Sequence, residues 1–223
     1  MRIGLISDIH ANYTALEAVL DDMPEVDSLV CLGDVVGYNP HPRECVEKVR
    51  ESCDLVLRGN HDRKVTTPEE YRQNEMAYEG LKHASEELTE EQIDWLEDLP
   101  DRKDVFDTGF LSAHSHPNPD MLDKYVMPAE FPNMRRHLDD HEGIFIGHTH
   151  IQHEAVIDDR LILNPGSVGQ PRDNDERAAY AVVDTESKES DLRRTGYDID
   201  SVVEDIEMEG LPKRTGERLR EGK

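Results

Sequence analysis

Histidine, aspartate and asparagine cluster in this chain at the ends of short apolar runs, a placement that points to metal chemistry. Eleven histidines occur in 223 residues. With neighbouring carboxylates and amides, most fall in five places: Asp8-Ile9-His10, Gly33-Asp34, Gly59-Asn60-His61-Asp62, Ala113-His114-Ser115-His116 and Gly147-His148-Thr149-His150. The donors are carboxylate, amide oxygen and imidazole, with no thiolate. Such a set suits borderline divalent ions of the first transition row (manganese, iron, cobalt, nickel or zinc) and is too rich in imidazole for magnesium or calcium. Asp8, His10, Asp34, Asn60, His114, His148 and His150 offer more side chains than one tetrahedral ion takes. Two ions sharing one carboxylate would use them all. Asp34 is the expected bridge, because Gly33 and Gly37 let backbone approach a crowded centre. Two ions about 4 Å apart can acidify a shared water and clamp the attacking and leaving oxygens of a phosphoryl transfer.

The elements that must position these donors are legible as well. Ile3-Gly4-Leu5-Ile6 reads as a buried strand. A helix is expected over 11–22, closed by Met23-Pro24. Ser28–Leu32, a short helix over 42–51 and Leu55–Leu57 continue a strand–helix alternation that marks parallel βαβ units. Asp8, Asp34 and Asn60 follow the first three strands at intervals of 26 residues. In an open sheet the carboxyl ends of parallel strands converge on one crevice, so these residues can share a pocket. The middle is helical, with Thr89-Glu90-Glu91-Gln92 as a capping box. From about residue 103 short strands dominate, at 110–113, 144–146, 155–157, 161–163 and 180–183. Residues 115–132 contain four prolines and read as a long loop, a lid or rim. Residues 199–209 read as an amphipathic helix and 212–223 as a solvated tail. The expected architecture is α/β: two mixed β-sheets flanked by helices in one domain over 1–223, with a core over about 1–184 and a C-terminal strand, helix and tail over 185–223.

Composition narrows the function classes. Lys and Arg number 25 against 50 Asp and Glu, a formal net charge of −25 that would repel nucleic-acid backbones. Only eight of the basic residues are Lys, and the acid excess runs along the whole chain. An evenly acidic, Lys-poor surface of this kind is expected of a halophile's protein, whose self-repulsion is screened by salt. No window approaches the roughly 20 apolar residues that span a bilayer. The N-terminus reads as a strand, not a signal peptide. Cys31, Cys45 and Cys53 form no C-x-x-C pair, so a cytoplasmic location is expected. Leu, Ile, Val and Phe fill 51 positions, enough for a core.

The five places, in order, resemble the calcineurin-like metallophosphoesterase superfamily, whose pattern is D-x-H, G-D, G-N-H-[DE], H and G-H-x-H. The stretches Gly33–Pro40 and Asn164–Arg172 look similar to its small prokaryotic branch of phosphodiesterases and diadenosine-tetraphosphatase relatives. The resemblance implies a four-layer αββα sandwich. It also implies that Asp8, His10 and His150 hold one metal, that Asn60, His114 and His148 hold the second, and that Asp34 bridges them. His61 would stand outside the metal shell and protonate the leaving oxygen. The implied reaction is hydrolysis of a small phosphodiester by in-line attack of a metal-bridging hydroxide, with manganese the favoured ion. A dinucleoside polyphosphate or a phosphomonoester is the alternative substrate, and a non-catalytic binding scaffold is the alternative of another class.

His116 is the rival of His114 as ligand. Arg172 and Arg58 are candidate phosphate contacts. Asp62 is expected as a local cap. Gly37-Tyr38 stands where the family's protein phosphatases carry Asp-Arg, which removes the Asp that orients the catalytic histidine and favours a small-molecule substrate. No membrane and no broad nucleic-acid partner are expected, and the sequence leaves room for a homo-oligomer.

Overall fold

A strand buried on both faces needs apolar side chains at consecutive positions, and the first strand has them. In the computed structural model, which describes residues 1–138 and 140–223, β1 (Arg2–Ile6) turns Ile3 and Leu5 toward one core and Ile6 toward another. α1 (Tyr13–Asp22) follows, capped by the Asn12 side chain, which accepts from the Ala15 amide at 3.1 Å. β2 (Ser28–Cys31) pairs parallel to β1; after α2 (Pro42–Ser52), β3 (Leu55–Val56) pairs parallel to β2. The short α3 (Asn60–Lys64), α4 (Glu75–Glu87) and α5 (Glu90–Asp98) complete the first half. The capping box opens α5 as expected, with the Thr89 amide donating to Gln92 Oε1 at 3.0 Å and the Gln92 amide to Thr89 Oγ1 at 3.3 Å.

The second half builds another sheet from β4 (Arg102–Val105), β5 (Phe110–Ala113), β6 (Gly143–Ile146), β7 (His153–Ile157) and β8 (Arg160–Asn164), with the short helix α6 (Phe131–Met134) between β5 and β6. β9 (Ala178–Asp184) then returns to pair antiparallel with β1, and β10 (Glu189–Thr195) adds the edge. Among the described residues the sheets run β10-β9-β1-β2-β3 and β4-β5-β6-β8-β7. They face each other across Ile3, Leu5, Val30, Leu32, Phe110, Phe145, Leu161 and Val183. Leu16, Val19, Val46, Val49, Ala84 and Leu96 pack the helices on the outer face of the first sheet. Phe131 and Met134 of α6, with Val126 and Leu138, cover the second. The result is the αββα sandwich, with short helical turns as its thin fourth layer.

Two stretches differ from expectation. Residues 102–105 form an edge strand against β5 although Arg102, Lys103 and Asp104 are exposed and show no apolar alternation. Charged side chains on an edge discourage further pairing, so such a strand carries little hydrophobic signal. Residues 212–223 are not a solvated tail. α7 (Ile199–Met208) and α8 (Lys213–Glu221) pack as a hairpin around Val202, Ile206, Leu211 and Leu219. Small residues make the contact: Thr215 and Gly216 are buried, and a Cβ on Gly216 would meet Val203 Cγ2 at 2.9 Å. With Leu219 as its sole large apolar side chain, α8 has no stripe for periodicity to detect. No helix among the described residues is long and apolar enough to cross a membrane.

Candidate metal centre

Parallel pairing sets the carboxyl ends of β1, β2 and β3 side by side, and those of β5 and β6 likewise. The chain turns sharply just beyond several of these ends. Asp8, His10, Asp34, His148 and His150 all have φ between 48° and 68°. For a residue with a side chain this left-handed conformation costs on the order of 1 kcal/mol. Hydrogen bonds between the turns hold it in place, from the Asp8 amide to the Gly33 carbonyl and from the His10 amide to the Asp34 carbonyl, both at 2.9 Å. Strained backbone at five of the seven candidate donors is the pattern of a functional site.

The turns bring the predicted donors into two adjacent groups. Asp8, His10, Asp34 and His150 form one and Asp34, His114 and His148 the other, each with ligand atoms within 4.8 Å of one another. His150 Nε2 lies 3.2 Å from Asp8 Oδ1 and 3.1 Å from His10 Nε2. Asp34 Oδ2 lies 3.6 Å from His10 Nε2 and 3.4 Å from His114 Nε2. Asn60 Oδ1 is 3.2 Å from His114 Nε2, which joins it to the second group. Asp34 alone belongs to both groups. His116 is elsewhere: its Nδ1 accepts from the Asn118 amide at 3.1 Å and its ring meets His137 edge-on.

Each ring is aimed by its outer nitrogen. Nδ1 of His10, His114 and His150 donates to the carbonyls of Val36, Leu32 and Gln170 at 3.1, 2.9 and 2.6 Å, which leaves Nε2 for the centre. His148 is reversed, with Nε2 donating to the Asp123 carbonyl at 3.1 Å and Nδ1 left for the centre. The carboxylates are half-satisfied in the same manner. Asp8 Oδ2 accepts from Ser7 Oγ at 2.7 Å and from the His148 amide at 3.0 Å, while its Oδ1 is buried without a hydrogen-bond partner. Asp34 Oδ1 accepts from the His61 amide at 2.8 Å.

Burial opposes ionisation of Asp8 and Asp34, yet the imidazoles around them hold both carboxyls well below the usual range. Burial also disfavours a charge on His114, but Asp34 outweighs it and pushes the ring up to about 10. Burial pushes His148 down to about 4. Two buried carboxylates thus demand positive charge, and the orphaned Asp8 Oδ1 faces the Nε2 atoms of His150 and His10 at 3.2 and 3.9 Å. A divalent transition metal meets both demands, so the donor set fits such ions.

His61 belongs to neither group. Its ring packs among Tyr38, Tyr71 and His10, with centroids 4.7, 5.1 and 4.7 Å away. Its Nδ1 is buried against Gly37 without a partner, so the missing orienting carboxylate is replaced by ring packing. Burial pushes this imidazole down to about 4. Asp62 accepts from the amides of Val35, Val36 and Gly59 at 2.8, 3.2 and 2.9 Å, the local capping role expected of it.

A cavity of about 220 Å³ opens over the centre, lined by Asp34, Asn60, His61, His148 and His150 and walled by Tyr38, Tyr71, Tyr125 and Arg172. Arg172 lies over the Tyr38 ring, 5.8 Å from its centroid, and its Nη2 donates to Gln170 Oε1 at 2.7 Å. Arg58, the other candidate phosphate contact, does not line this cavity; it binds Asp101 at 3.1 Å and the Glu97 carbonyl at 2.6 Å. Sequence reasoning missed Tyr71, Tyr125 and Asp123. Tyr71 Oη accepts from Asn60 Nδ2 at 2.6 Å, turning Oδ1 toward His114. None of the three follows an apolar strand, so none carried the signal that exposed the candidate donors.

The chain matches the family model of the calcineurin-like phosphoesterase superfamily domain over residues 1–188. It is 33% identical over 237 residues to an uncharacterized protein of Methanocaldococcus jannaschii, covering 97% of this chain and 96% of that one. A metallophosphoesterase from Sphaerobacter thermophilus superposes with a TM-score of 0.86 at 33% identity, covering 100% and 99% of the two chains. A hypothetical protein from Pyrococcus horikoshii shares the fold, with a TM-score of 0.87 at 22% identity and coverage of 100% and 98%. Donors, fold and relatives agree: the chain belongs to the calcineurin-like phosphoesterase superfamily and is a phosphoric ester hydrolase.

Proposed function

We propose that this chain hydrolyses a small phosphodiester with two divalent transition-metal ions, manganese being the first to test. One observation carries the reading: two donor groups share Asp34 and open into a cavity that also presents His61 and Arg172. Asp8, His10 and His150 would hold one ion, Asn60, His114 and His148 the other, and Asp34 both. The ions would supply an activated water and neutralise charge on the phosphoryl oxygens.

The remaining work falls to the chain. Arg172 offers a guanidinium to an anionic oxygen of the substrate. His61 faces the cavity from outside the donor groups, placed to pass a proton to the departing alkoxide. A phosphoester anion against the ring supplies the negative charge that draws its pKa back up from about 4. Tyr38 and Tyr71 hold that ring in place of a carboxylate.

The test is an assay of manganese-loaded protein on bis-p-nitrophenyl phosphate, p-nitrophenyl phosphate and diadenosine tetraphosphate. The diester is expected to turn over fastest. Faster turnover of the tetraphosphate would move the assignment to dinucleoside polyphosphates. No turnover of any substrate, at high salt too, would leave a binding scaffold.

A further inference from the structure

His148 differs from the other imidazoles of the centre in what holds it. The carbonyl that fixes it belongs to Asp123, in the 115–132 segment that also supplies part of the cavity wall. Two residues on, the Tyr125 ring stacks on the His148 imidazole with centroids 4.4 Å apart and planes 19° apart.

Asp123 is itself held from two sides. Its amide donates to Ser115 Oγ at 3.0 Å. Its carboxylate receives Arg63 Nη1 at 2.9 and 2.8 Å. Arg63 lies on α3, three residues after Asn60, and its Nη2 donates to Asp101 at 2.9 Å. Asp101 in turn binds Arg58. Asp123 therefore touches the helix that carries Asn60, the residue after His114, and His148 itself. None of these bonds ends on Asp8, His10 or His150; His148 reaches Asp8 through its backbone amide, not its ring, donating to Oδ2 at 3.0 Å.

We propose that the Arg63–Asp123 pair is a positioning latch for the second ion alone. By seating the 115–132 segment it keeps His148 Nε2 protonated and Nδ1 turned to the centre, without either residue serving as a ligand. A neutral imidazole has one N–H, and the partner of the outer nitrogen decides which nitrogen carries it. Loss of such a partner lowers metal affinity by about 10- to 100-fold. A lone half-exposed ion pair would contribute little, but Arg58, Asp101, Arg63 and Asp123 form an alternating chain in which the Arg63 side chain is only 18% exposed. The proposal rests on the two-ion reading above.

The experiment is a Mn²⁺ titration of the whole chain by equilibrium dialysis with elemental analysis, alongside the spin-resonance signature of a coupled manganese pair. Wild type is expected to bind two equivalents. Asp123→Ala and Arg63→Ala should each keep one at unchanged affinity, bind the second about 10- to 100-fold more weakly, and lose the coupled-pair signal. The double variant should be no worse than either single one, and Arg63→Lys should restore most of the loss. Asp123 has φ of 63°, a left-handed conformation that alanine tolerates poorly, so Arg63→Ala carries the test if Asp123→Ala fails to fold. Tight binding of both equivalents in Arg63→Ala, or parallel weakening of both, overturns the latch. No binding by wild type would instead overturn the two-ion reading.

Discussion

Gly59 packs directly onto Asp34. A Cβ at position 59 would overlap the Asp34 carboxylate and backbone nitrogen, with Asp34 Cγ 2.7 Å away. The Gly59 amide is tied to Asp62 Oδ2 at 2.9 Å, so the strand end cannot retreat. Gly59→Ala must therefore displace the one carboxylate common to both donor groups. Both manganese equivalents are expected to weaken together, as they should in Asp34→Asn, whereas His150→Ala should weaken one. Elemental analysis after dialysis distinguishes these outcomes. Two firmly held ions in Gly59→Ala would show that the contact yields.

The ring packing of His61 separates chemistry from metal binding. His61→Ala is expected to keep full ion stoichiometry while kcat falls by about 10²–10⁴, the scale of general acid–base catalysis. Loss of metal from this variant would place His61 among the ligands.

The α7–α8 hairpin has its own small core. Leu219 is 1% exposed and packs with Val202 and Ile206. Leu219→Ala should cost about 2–5 kcal/mol in that hairpin, the range for truncating a buried leucine. Limited proteolysis should then cut near residue 212 ahead of the sandwich. An unchanged denaturation curve and cleavage pattern would return 212–223 to the status of a tail.

A chain with 50 acidic and 25 basic residues repels itself. Raising KCl from about 0.1 M to about 1 M shortens the Debye length from about 10 Å to about 3 Å. If the surface is adapted to salt, thermal melts should shift upward by several degrees across that range. Melts that coincide would show that the acid excess has no such role.

The donor residues were legible because they depend on local order. Asp8, Asp34, Asn60 and His148 each follow an apolar run, and a parallel sheet gathers strand ends whatever lies between them. The same reasoning yielded both sheets and the capped α5. It could not yield β4 or α8. The first is an exposed, charged edge; the second packs through Thr215 and Gly216, whose small size matters only against Val203.

Donor identity and strand-end placement are properties of the chain itself, since residue type sets coordination chemistry and apolar pattern sets which segments are buried. Tertiary structure alone places His114, and not His116, among the clustered donors. Both sit beyond β5, two residues apart, where alternation offers no preference, and the choice falls to the Leu32 carbonyl, 82 positions away, which binds His114 Nδ1. The grip of Asp123 on His148 has the same origin. It exists because a turn from one segment meets an imidazole from another, and no spacing rule encodes the meeting of two loops.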